Sequence, residues 1–194
     1  MTKRSVDLLV ATDPAWVEVI LENFDEFLQD HANCERKASA LALSLVVKYP
    51  DRPRVTPHLI RLAQEELEHF RQVHELLQAR GLPLVKDRPD RYVNELHACT
   101  RDGREQRFLD RLLVSSVIEC RGAERFRILS QALGDAALRR FYRDLWAAEA
   151  KHGHQFAEWA LCYFDAEEVY ARLRAIATAE AAIISRLEWR PSLH

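Results

Sequence analysis

Apolar side chains recur along this chain at intervals of three and four, the period of a helix with one buried face. Four lines carry the pattern. The first runs Leu28, Ala32, Glu35, Ala38, Ala42, Leu45, and the second Leu59, Leu62, Glu66, His69, Val73, Leu76. The third runs Leu109, Leu112, Ser116, Glu119, Ala123, Phe126, and the fourth Leu138, Tyr142, Leu145, Glu149, His152, Phe156, Trp159. Pro and Gly delimit the helices beneath these lines, because Pro breaks a helix interior and Gly is favoured just past a helix end.

Between Pro14 and Pro50 the chain has neither residue, which allows one very long helix or a short one followed by a long one. Asn23, ahead of Asp25 and Glu26, is the expected N-cap of the long one, over about 24–49. Thr56-Pro57 starts a second helix over 58–80, stopped by Arg80-Gly81. A connection of about 20 residues follows, holding Pro83, Pro89 and Gly103 around a short helix from Asp90 to Cys99; a link that long is commonly functional or partly structured. Third and fourth helices are expected over 104–133 and 135–164, separated by Gly134 and capped by Asp135, with Gly153 inside the fourth. A last amphipathic helix covers 166–188. Long helices with one long crossover between the second and third predict an all-α chain: a ferritin-like four-helix bundle, residues 1–194 as one domain, with extra N- and C-terminal helices.

Composition narrows the picture. With 194 residues, 48% of them hydrophobic, the chain can bury a real core, while only 5 Gly leave the φ > 0 turns of a sandwich or barrel poorly provided for. A net charge of −2 excludes binding nucleic acid through overall basicity, so any such contact needs a local patch. The cysteines Cys34, Cys99, Cys120 and Cys162 have neither disulfide-like nor zinc-like spacing, which fits a reducing compartment. Met1 to Pro14 lacks the order of a signal peptide, and no segment approaches a membrane span. A soluble, cytoplasmic protein is expected.

The candidate chemistry lies where polar residues interrupt the apolar lines. Glu66 and His69 share one helix face at i, i+3, as do Glu149 and His152, and Glu35 and Glu119 lie on the other two lines. A carboxylate on a buried line must be paired or bind a cation, because burying it alone costs several kcal/mol. The six positions also repeat: Glu119 follows Glu35 by 84 residues, and Glu149 and His152 follow Glu66 and His69 by 83. A Glu from each of two helices plus Glu-x-x-His from each of two others is the ligand plan of a carboxylate-bridged two-metal site. Neighbouring groups have plainer readings. Glu65 and Glu68 read as surface charges, Cys34 and Cys120 as small buried hydrophobes, His31, His74 and His154 as ordinary helix residues, and Ser116 as a core serine bonded back to its own helix.

The contexts Ala32-Asn33-Cys34-Glu35-Arg36-Lys37-Ala38, Glu65-Glu66-Leu67-Glu68-His69-Phe70, Ile118-Glu119-Cys120-Arg121-Gly122-Ala123-Glu124-Arg125-Phe126 and Glu149-Ala150-Lys151-His152 resemble the bacterial tRNA 2-methylthio-N6-isopentenyladenosine hydroxylases over nearly the whole chain. That resemblance implies two iron ions held by Glu35, Glu66, His69, Glu119, Glu149 and His152, with Glu66 and Glu149 bridging. It also implies oxygen-dependent hydroxylation of the isopentenyl group beside the anticodon of tRNA. Two electrons must come from outside, and with no G-x-G-x-x-G and no paired C-x-x-C a separate reductase or electron carrier is implied. For the tRNA contact the expected residues are Lys86, Arg88, Arg91, Arg101, Arg104 and Arg107, against the alternative of a solvated mixed-charge loop; Arg52 and Arg54 form a second basic loop. A monomer or small homo-oligomer is expected. The rival functions are ferritin-like iron storage or detoxification and a rubrerythrin-like peroxidase, and the ligand types alone do not separate iron from manganese.

Overall fold

Where the sequence withholds Pro and Gly, the backbone stays helical. A computed structural model describes residues 7–194, so the first six residues of the Met1–Pro14 stretch lie outside the description. Among the described residues there are seven helices and no strand: α1 (Ala15–Glu22), α2 (Phe24–Lys48), α3 (Thr56–Ala79), α4 (Arg91–Ala98), α5 (Arg104–Ala132), α6 (Ala136–Ala160) and α7 (Ala166–Ile184). None is long and apolar enough to cross a membrane. The stretch after Pro14 is a short helix followed by a long one, broken at Asn23.

Two of the expected caps work differently. Asn23 precedes α2, but its side-chain amide donates back to the Val19 carbonyl at 3.0 Å and so caps the end of α1 instead. The Thr56 hydroxyl donates to the Arg52 carbonyl at 2.9 Å, which draws Thr56 into the first turn and leaves Val55 at the cap position. Asp135 and Asp90 do cap, accepting from the Leu138 and Val93 amides. The fourth long helix ends at Ala160, four residues early, because the amides of Cys162 and Tyr163 turn back onto Trp159 and Ala160 three residues before them.

The described residues divide into two compact units. One holds residues 18–89 and 189–193, built on the α2–α3 hairpin; the other holds residues 7–17, 90–188 and 194, with α4 to α7. In the first, Leu28, Ala32, Ala42 and Leu45 of α2 and Leu59, Leu62 and Val73 of α3 are buried as the apolar lines predict. Ser39 of α2 donates to the Ala63 carbonyl of α3 at 2.8 Å, joining the two helices by a polar stitch.

In the second unit α5 and α6 approach more closely. A Cβ on Gly153 would lie 2.5 Å from Cys120 Sγ and 3.2 Å from the Ser116 carbonyl, so only Gly fits at that point of α6. Ser116 uses the space: its hydroxyl donates across to the Gly153 carbonyl at 2.5 Å and not back within α5 as the sequence suggests. Burial, and then the adjacent Glu119 charge, pushes the Cys120 thiol up to about 12, so it is no nucleophile at neutral pH. α7 is fastened to α5 by buried charge. Asp110 accepts from Arg101 and Arg172, and Arg121 donates to Glu180 at 2.8 Å, which also accepts from the Tyr92 hydroxyl at 3.1 Å.

Candidate metal centre

In the α2–α3 unit, Glu35, Glu66 and His69 each bring one ligand atom within 4.8 Å of the others. Helix geometry explains the closest pair. Glu66 and His69 are one turn apart on α3, and His69 Nδ1 lies 3.2 Å from Glu66 Oε2. Glu35 reaches them from α2, its Oε2 lying 3.7 Å from His69 Nδ1. Glu66 and Glu35 are buried, while the His69 ring keeps 12% of its surface in solvent.

The α5–α6 unit repeats the arrangement with Glu119, Glu149 and His152, again with ligand atoms within 4.8 Å of one another. His152 Nδ1 lies 3.1 Å from Glu149 Oε2. Here the histidine is fully buried and Glu119 is the partly exposed member. Each unit therefore gathers two carboxylates and one imidazole into a small volume. That donor set, oxygen-rich with one borderline nitrogen, suits a first-row divalent ion and does not suit a soft-metal or zinc-finger site.

Two neighbours deepen the picture. His31, one turn before Glu35, is fully buried, and its Nε2 lies 2.6 Å from Glu35 Oε1; its ring stacks on Phe27 at 5.7 Å. It is not the ordinary helix residue that the sequence suggests, and the i, i+4 spacing to Glu35 is the signal that could have found it. Glu68 is the exposed surface charge expected, clamped by Arg71, which holds its carboxyl down to about 2.

The basic residues proposed for RNA contact separate into different situations. Arg101 is bound to buried Asp110 through two side-chain nitrogens and its backbone amide, an internal clamp. Arg88 pairs with Glu26 at 2.6 Å, Arg91 with Glu95 at 2.7 Å and Arg107 with Asp102 at 2.7 Å, all at the surface, and Arg104 lies 3.6 Å from Glu105. Lys86 is exposed. Lys86 and Arg88 belong to the α2–α3 unit and the other four to the α5–α6 unit.

Comparison with known proteins bears on both fold and chemistry. Residues 1–194 match the family described as tRNA-(MS2IO6A)-hydroxylase (MiaE). A Pseudomonas putida protein named tRNA 2-(methylsulfanyl)-N(6)-isopentenyladenosine(37) hydroxylase is 36% identical, the alignment covering 89% of this chain and 84% of that protein. A Salmonella typhimurium protein of the same name is 29% identical over 89% of this chain and 82% of its own. Among solved structures, a Synechococcus protein described as having aldehyde deformylating oxygenase activity superposes with a TM-score of 0.91 at 36% identity, covering 96% of this chain and 94% of that one. With helices alone among the described residues, this likeness shows the ferritin-like all-α fold that the element order predicts.

Proposed function

The chain belongs to the tRNA-(MS2IO6A)-hydroxylase family, and from that premise we propose that it hydroxylates the isopentenyl side chain of 2-methylthio-N6-isopentenyladenosine beside the anticodon of tRNA. The reaction centre in this reading is a two-iron site that Glu35, Glu66, His69, Glu119, Glu149 and His152 would hold. The observation that carries it is the doubled donor set, in which each unit sets a His Nδ1 within 3.2 Å of a Glu oxygen one turn away and brings up a second Glu from the neighbouring helix. Iron bound there supplies the dioxygen chemistry needed to oxidise a C–H bond, with electrons from a separate donor.

The protein's own residues hold and shield the site. Four carboxylates offset the charge of two divalent ions, and only two imidazoles are spent, leaving coordination positions open. Leu28, Ala32 and Leu62 in one unit, and Leu112, Leu145 and Phe156 in the other, lie on the same helix faces as the ligands and confine water to the exposed edges of His69 and Glu119. The target adenosine lies in a single-stranded loop and can be splayed out of its stack, as modification of a base generally requires. Arg88 and Arg91 are the proposed phosphate contacts: exposed ion pairs contribute less than about 1 kcal/mol, so their carboxylate partners are readily exchanged for phosphate. The cytoplasm, where tRNA is modified, is the proposed location, and a monomer or small homo-oligomer the proposed state.

The test is an anaerobic single turnover. The iron-loaded protein is reduced chemically, given tRNA carrying the modified adenosine, exposed to oxygen, and the nucleosides weighed by mass spectrometry. Gain of one oxygen atom, absent in Glu119→Ala, is the expected result; an unchanged nucleoside on a metal-loaded protein overturns the substrate assignment. A second reading rests on the Synechococcus relative, whose identity to this chain is as high as that of the Pseudomonas hydroxylase. An aldehyde run through the same assay would lose one carbon if that reading holds. A sizing column tests iron storage, which requires a many-subunit cage.

A further inference from the structure

We propose that His31 is a positioning residue that makes the two metal positions unequal, so that the half built by Glu35, Glu66 and His69 takes the first ion and holds it more tightly. The inference rests on the two-metal reading given above. Its basis is the contact between His31 Nε2 and Glu35 Oε1, 2.6 Å long and shut away from water, His31 having no exposed surface. A carboxylate oxygen can only accept, so Nε2 carries the proton and donates it to Oε1. That commits Oε1 and leaves Oε2, which faces His69 Nδ1 at 3.7 Å, as the oxygen turned toward the other donors. Stacking on Phe27 fixes the plane of the His31 ring, so the carboxylate is held in one orientation before any ion arrives.

The other half is built differently at the matching position. The half-repeat places Ser115 where His31 would be, since 31 plus 84 is 115, and Ser115 lies one turn before Glu119 as His31 does before Glu35. Ser115 is buried, and its hydroxyl makes no hydrogen bond among the described residues. Glu119 is also partly exposed where Glu35 is buried. A ligand held in place loses less freedom on binding, and removing a hydrogen-bond partner of a metal ligand typically weakens metal affinity by roughly 10- to 100-fold.

The experiment is an anaerobic titration of the metal-free full-length protein with Co(II), followed by visible absorption. Wild type should show two binding phases. The tighter one should survive Glu119→Ala and disappear in Glu35→Ala. In His31→Leu it should weaken by about 10- to 100-fold while the weaker phase stays put, and His31→Gln, which retains an N–H donor, should restore part of the loss. Ser115→Ala should leave both phases unchanged. Thermal melting of each metal-free variant separates a folding defect from a metal defect. If His31→Leu melts like wild type and binds Co(II) in the same two phases, the role given to His31 is wrong. If wild type itself binds no Co(II), the two-metal reading beneath it falls instead.

Discussion

The two helix hairpins carry the same ligand plan on differently built supports. In the α5–α6 unit, Gly153 lets the helices meet almost backbone to backbone, Ser116 stitches them, and α7 is clamped on by Asp110 and Glu180. The α2–α3 unit has the buried Ser39 stitch and, at the end of α3, an exposed Arg80–Asp25 pair, and it leaves Leu43, Val47, Ile60 and Leu67 exposed on its outer faces. It is the α2–α3 unit, without such a close helix approach, that orients its lone Glu through His31. Bracing of the scaffold and bracing of the ligand are thus separate properties. One unit invests in helix contacts and the other in a hydrogen bond to the carboxylate itself.

The strongest way to break the comparison is at the ligands. Glu66→Ala and Glu149→Ala should each abolish hydroxylation and remove at least one metal ion per chain, read by metal analysis of the purified variants; retention of full metal in either would remove that residue from the ligand set. Next comes the clamp. Asp110→Ala should cost about 3 kcal/mol in urea unfolding, the low end for a buried ion pair because both arginines reach solvent. Burial by itself would raise the Asp110 pKa, but hydrogen bonds from Arg172 and Arg101 outweigh it and hold the carboxyl below its usual value. A depressed folded-state pKa means that the stabilisation is present at neutral pH and is lost as pH falls below about 4. Asp110→Asn should therefore flatten that acid limb of the stability curve.

Smaller effects sharpen the contrast. Gly153→Ala should cost about 1–3 kcal/mol through overpacking. Pairing it with Cys120→Ala should recover only part, since the Ser116 carbonyl at 3.2 Å still blocks the new methyl; a double-mutant cycle on melting measures the coupling. Ser39→Ala and Ser116→Ala should each cost about 1 kcal/mol, the net worth of one hydrogen bond. A clearly larger loss for Ser39 would mean that the α2–α3 unit leans on this one buried stitch.

The helices were legible because Pro, Gly and Asp mark their ends, and the ligands because two Glu-x-x-His pairs and two single Glu fall on apolar lines at matching intervals. What stayed hidden depended on partners distant in sequence or on symmetry that fails. His31 looked ordinary because its repeat position holds Ser115, so the rule that exposed the ligands worked against it. Arg101 looked like an RNA contact because counting charge in a loop says nothing of the buried acid nine residues ahead. Gly153 inside a helix was visible, but its reason, the close approach of Cys120, belongs to the tertiary structure alone.

One feature of the long connection bears on how the protein should be handled. Gln29 and Asn33 of α2 donate to the carbonyls of Pro83 and Val85, and Lys37 pairs with Asp87 at 3.0 Å. Four helical residues rise about 6 Å, close to the advance of two extended residues, so every fourth side chain of α2 meets every second residue of the segment. The segment is a splint laid along α2, although it contains no helix of its own. Lys86 within it is formally a trypsin site, Arg88 being shielded by the following Pro89, but a protease must peel the chain into its own cleft before cutting. Resistance to nicking there reports that Gln29, Asn33 and Lys37 are still in place, which makes brief digestion a probe of the helix that carries Glu35.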